Sequence, residues 1–165
     1  MASPVDPIRP TDADARALAR SLIDDARFAA LGVIEPASGA PMVTRVAIAR
    51  DARGLPMTLV SDLSQHTKAL RSNPACSLLL GEPGPRGDPL MHPRLTLQCR
   101  AVFVAPAGTE HGALRARYLA QHPKAKLYID FGDFRLIRFD VHSGFLNGGF
   151  GKAFNLTAKD LTGAS

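Results

Sequence analysis

The chain has no tryptophan, only 6% aromatic residues, and two cysteines in 165 residues. Two cysteines cannot build the dense disulfide framework of a small secreted scaffold. Cys76 and Cys99 each lie in an apolar, strand-like stretch, which reads as two buried reduced thiols before it reads as a disulfide. No Cys/His pair shows the short spacing of a metal site, so none is expected. No apolar run approaches the length that spans a bilayer as a helix. The N-terminal stretch MASPVDPIRPTDADARAL lacks an apolar core of the secretory type, so a cytoplasmic protein is expected. The net charge is +5, but no run of five Lys or Arg occurs, which argues against nucleic acid as a partner.

Missing motifs exclude several chemistries. There is no G-x-S-x-G elbow for a hydrolase. Near the C-terminus, HSGFLNGGFGKAFNL carries Gly144, Gly148, Gly149 and Gly151. A Walker loop needs Ser or Thr after Gly-Lys, but Ala153 follows Gly151-Lys152. Leu146 breaks a G-x-G-x-x-G fingerprint beginning at Gly144. What remains is a backbone that must bend, bulge or approach a neighbour closely, either as a structural device or as the lining of a ligand pocket or subunit seam.

What is present is a sequence of short strands. Residues 1–11 hold Pro4, Pro7 and Pro10 and read as an extended leader; residues 12–165 read as one domain. Thr11 offers an N-cap to a helix over 12–28, whose apolar face holds Ala15, Leu18, Ala19, Leu22, Ile23 and Ala26. Strands are predicted over 29–35, 42–50, 56–61, 75–82, 94–105 and 135–149, with helices over 64–73 and 109–123. The segment 155–161 reads as a terminal helical turn. No alternating βαβ rhythm appears, which disfavours a doubly wound sheet. The expected architecture is mainly β with α, a small antiparallel barrel with peripheral helices.

Two constellations suggest binding. Arg45 and Arg50 lie near each other on one predicted strand, on opposite faces of an ideal one. The stretch SDLSQHTK places Ser61, Ser64, His66, Thr67 and Lys68 at a helix start, where free N–H groups and the helix dipole suit a phosphate. An ordinary capped, solvated helix start is the competing reading. His111 and His122 read as solvated, and His92 and His142 as flanking strands.

The runs VTRVAIARDARGLPMTLVSDLSQHTKALRSNPACSLLLGE, HPRLTLQCRAVFV, HPKAKLYIDFGDFRLIRF and GGFGKAF resemble a known family. It is the pyridoxamine 5′-phosphate oxidase-related FMN-binding split barrels, and within it the HugZ-type heme-utilisation branch. The resemblance covers roughly residues 12–158. It implies a six-stranded antiparallel split β-barrel acting as a homodimer, with FMN at the subunit interface and a small-molecule substrate that is not identified. By position, Arg45, Arg50, Ser61, His66, Thr67, Lys68 and Arg94 are the implied cofactor-binding residues. The first implied function is an FMN-dependent oxidoreductase. The alternatives are a heme-binding or heme-degrading protein, with His92 or His142 as iron ligand, and a non-catalytic flavin sensor. The resemblance is to that branch without the C-terminal domain that supplies a heme-ligating histidine, which is why heme cleavage is not the first expectation, and it implies a tight turn at Gly148, Gly149 and Gly151 with Phe150 packed inward.

Overall fold

The computed structural model describes residues 6–162. In chain order the elements are β1 (Ile8–Arg9), α1 (Ala13–Asp25), β2 (Phe28–Ile34), β3 (Pro41–Ala47), β4 (Ala49–Arg50) and β5 (Pro56–Ser61). Then come α2 (Gln65–Ser72), β6 (Ala75–Leu80), β7 (Arg94–Phe103), α3 (His111–Gln121), β8 (Phe134–Asn147), β9 (Ala153–Thr157) and α4 (Ala158–Thr162). Short 3₁₀ turns cover Pro89–Met91 and Pro123–Leu127.

The strands follow the order β1-β9-β8-β7-β6-β2-β3. The long β8 lets the sheet close. Its first half pairs with β5 and its second half with β9, while β7 runs along its other edge. The β4 segment pairs with β5, and the Thr58 hydroxyl donates to the Ala47 carbonyl at 2.6 Å, tying β5 to the end of β3. The result is a split barrel, as expected, but its sheet is mixed. β1 pairs with β9 in parallel, so part of the expected extended leader is a strand; residues 1–5 lie outside the described residues.

Alternation fills the interior. Leu31, Leu78, Leu80, Leu95, Leu97, Ile137 and Phe139 are all buried, and the Ala15, Ala19 and Ile23 face of α1 packs on them. A second cluster joins α3 to β5 and β8 through Met57, Leu114, Tyr118, Ile129 and Leu136.

Several local expectations are corrected. Asp12, not Thr11, caps α1, accepting from the Ala15 N–H at 2.8 Å, while the Thr11 hydroxyl donates to the Asn155 carbonyl. The predicted strand 42–50 breaks before Ala49, which separates Arg45 from Arg50. The segment 153–157 is a strand, because Phe154 and Leu156 alternate with exposed Asn155 and Thr157 and complete the pairing of β8; only 158–162 is helical. Phe150 is 87% exposed, not packed inward. The tight turn does hold: Gly149 and Gly151 adopt φ of 115° and 68°, and the Gly148 N–H donates to the Lys152 carbonyl at 2.7 Å.

Candidate functional site

Alternation that buries one face of β2, β3, β6 and β7 leaves the other outward. One row across the sheet runs Val43–Gly32–Ser77–Gln98–Ser143, each opposite the next. The row is made of small or apolar side chains at β2, β3 and β6, so it sinks into an open groove of about 470 Å³. Val33, Ile34, Met42, Val43, Cys76 and His142 are among its walls.

His142 reaches this groove through a β-bulge. Gln98 pairs with Ser143 and Cys99 with Val141, so His142 is an extra residue with no partner on β7. A bulge re-aims the side chain it carries. His142 is exposed, and its ring makes no hydrogen bond to a described residue. The groove is flanked by cations on the same sheet face. Arg45 follows two residues after Val43, and its guanidinium lies 5.3 Å from the centre of the Phe28 ring. Arg100 follows two residues after Gln98 and faces Ala75, itself a groove residue. Among the described residues neither arginine forms an ion pair.

The residues expected to hold a phosphate are only partly gathered. Ser64 starts α2, but its side chain makes no capping bond. His66 is half-buried, with Nδ1 3.0 Å from the Thr44 hydroxyl of β3, and burial holds its pKa below the ordinary imidazole value. Thr67 is fully buried, and its hydroxyl is the one buried side-chain polar atom among the described residues without a partner. Lys68 is exposed. These sit on the first turn of α2, beside the strand that carries Arg45.

The other three expected residues are engaged by the protein. The Ser61 hydroxyl donates to Asp133 at 2.7 Å and accepts from the Leu63 N–H. Arg50 donates to Asp24 at 2.9 Å, and both its backbone groups bond the Gln121 amide, which ties β4 to α1 and α3. Arg94 folds back onto the Leu90 carbonyl at 2.9 Å.

The histidines separate by their partners. In His92, Nδ1 accepts from the Gly84 N–H, and Nε2 lies 2.7 Å from the Arg86 carbonyl. Its ring therefore clips the 82–92 loop. His122 is not simply solvated: Nε2 lies 2.7 Å from the Ile48 carbonyl, and the ring packs on Tyr118. Arg100 was missed in the sequence, although its alternation with Gln98 marks both as outward. Among the described residues no group of three or more His, Cys, Asp or Glu is arranged to hold a metal ion directly.

Known proteins agree with this architecture. The chain is 42% identical over 102 residues to the non-canonical heme oxygenase HOZ, chloroplastic, of Arabidopsis thaliana, covering 62% of this chain and 30% of that protein. The chain thus spans under a third of the length of that relative. A structure of a heme binding protein from Mycobacterium smegmatis is 29% identical, covers 96% of this chain and 62% of that one, and superposes with a TM-score of 0.82. A pyridoxinephosphate oxidase family protein from Clostridium acetobutylicum, 13% identical, shares the fold, with a TM-score of 0.67 over 92% of this chain and 99% of that one. The profile of the CREG β-barrel family matches residues 10–162, and the chain belongs to that family.

Proposed function

We propose that this chain binds heme in the outward groove, in the service of heme breakdown, rather than acting as the flavin oxidoreductase expected first. The observation that carries this reading is the apolar groove into which a bulge delivers His142, an imidazole free of described hydrogen-bond partners. Heme needs a flat apolar surface, cations for its carboxylates and a ligand for its iron. Ile34, Met42 and Val43 supply the first, Arg45 and Arg100 the second and His142 the third. When bound, the heme would supply an iron centre for oxygen and electron chemistry. The chain's own part is to hold the macrocycle, keep water from one face and neutralise the carboxylates. The named heme proteins among its relatives support the same reading.

The groove is open and lies on an uncovered sheet face that exposes Val43, Leu79 and Phe145. A second copy packed there would enclose the ligand, so the homodimer belongs to the proposal. The flavin reading retains one specific support. The unpartnered Thr67 hydroxyl sits at the start of α2, beside His66, which meets Thr44 of β3.

Parallel titrations with hemin and FMN decide between them. The proposal expects a shifted, saturable Soret band with hemin and no quenching of FMN fluorescence. Saturable FMN binding without a Soret shift would replace it by the flavin reading. Ascorbate added to the hemin complex in air should bleach the Soret band if breakdown is the activity.

A further inference from the structure

Cys76 on β6 and Cys99 on β7 are direct partners across an antiparallel pair. Both point to the inner face, at 9% and 4% exposure, and both are free thiols. The bond from the Ala101 N–H to the Pro74 carbonyl, at 2.9 Å, marks those two residues as a hydrogen-bonded pair. Two residues along each strand, Cys76 and Cys99 fall at the next such pair. Opposed residues there have Cα atoms about 5.5 Å apart. That Cα separation lies within the roughly 4.4–6.8 Å a disulfide bridges, and closing the bond requires the two Cβ atoms, about 4.5–5.5 Å apart in an opposed pair, to draw in to about 4.5 Å or less. Both cysteines also border the groove that carries His142, which gives the pair an opening to small solutes.

We propose that Cys76 and Cys99 are a site of reversible oxidative modification, closing to an intrachain disulfide beneath the groove. The oxidant is a peroxide. The Cys76 sulfur, the more exposed, attacks one peroxide oxygen; the O–O bond breaks, a sulfenic acid forms, and the departing hydroxide leaves as water. The Cys99 sulfur then attacks the Cys76 sulfur and expels its hydroxide as a second water. Two thiols and one hydrogen peroxide give one disulfide and two waters; the sulfurs lose two electrons and the peroxide gains them. Burial pushes the Cys76 thiol up to about 12 and raises Cys99 as well. The thiolate is scarce, so the pair stays reduced until an oxidant is abundant. The bond would staple β6 to β7 below the ligand groove, and it does not depend on what the groove binds.

The test treats the full chain with hydrogen peroxide and, separately, with diamide, which spares methionine. The protein is then denatured, alkylated and mapped by mass spectrometry. Both cysteines should escape alkylation together, in one cross-linked peptide pair lighter by two hydrogens, within a monomeric chain. Dithiothreitol should restore both. In Cys99→Ser, Cys76 should stop as a sulfenic acid that dimedone captures. Three results with the unmodified chain would overturn the proposal: cross-links only between chains, over-oxidation of one cysteine without pairing, or both thiols intact after the exposed Met91 has become sulfoxide.

Discussion

His66 Nδ1 stands 3.0 Å from the Thr44 hydroxyl and so joins α2 to β3 at a half-buried site. Burial disfavours the imidazolium and lowers the folded-state pKa. Below the ordinary histidine value the unfolded chain therefore binds more protons at this residue than the folded one. The stability contributed by the neutral ring is present above that value and is lost as pH falls through the lowered one. Urea unfolding at several pH values should show the advantage of the unmodified chain over His66→Gln shrinking from pH 7 towards pH 5. A constant difference would show that His66 does not titrate differently on folding.

Asp51 holds the β4–β5 turn. Its carboxylate is 3% exposed and accepts from the Arg53 and Leu55 N–H groups at 2.8 and 3.1 Å, and from the Arg53 guanidinium at 2.7 Å. Asp51→Ala leaves the buried Leu55 N–H and the part-buried Arg53 N–H without their acceptor and should cost about 2–3 kcal/mol in chemical denaturation. Asp51→Asn keeps an acceptor oxygen and should cost less.

Gly81 ends β6 with φ of 97°, and an added Cβ would lie 2.6 Å from the Pro93 carbonyl oxygen. Gly39 has φ of 72° in open space. Gly39→Ala therefore meets only backbone strain, about 1–2 kcal/mol. Gly81→Ala meets the same strain and a collision with backbone, so its melting temperature should fall further. Equal losses would contradict the close approach of Gly81 to Pro93.

Arg50 sits where the family resemblance puts a cofactor ligand, but its guanidinium is directed at Asp24. Arg50→Ala should lower stability by less than about 1 kcal/mol, as for other exposed ion pairs. It should leave ligand affinity, measured by hemin and FMN titration, unchanged. A tenfold loss for either ligand would return Arg50 to the site.

Much of the barrel was legible because alternation is strict where one sheet face is buried. Leu95, Leu97 and Cys99 against Thr96, Gln98 and Arg100 mark β7 without ambiguity. The C-terminal strand was not legible, because AFNLT is too short to separate strand from helix by period; pairing with β8 decided it. The resemblance puts Phe150 inside, while the Gly149–Gly151 turn throws it outward. The face of the proposed heme groove was the least legible part. Its groove exists because Gly32, Ser77 and Gln98 align across strands distant in sequence, and because one extra residue in β8 delivers His142. Neither register nor bulge leaves a local signature. The resemblance directed attention to SDLSQHTK, where the structure retains one unsatisfied hydroxyl, on Thr67.

The most direct test of the account is a hemin titration of His142→Ala beside the unmodified chain, followed through the Soret band. The substituted side chain is exposed, so folding should be unaffected. The account predicts a saturable Soret shift in the unmodified chain, and in the variant a changed Soret position with affinity at least tenfold weaker. Identical spectra and affinity would contradict it, because the heme would then lie outside the groove or take its iron ligand from elsewhere.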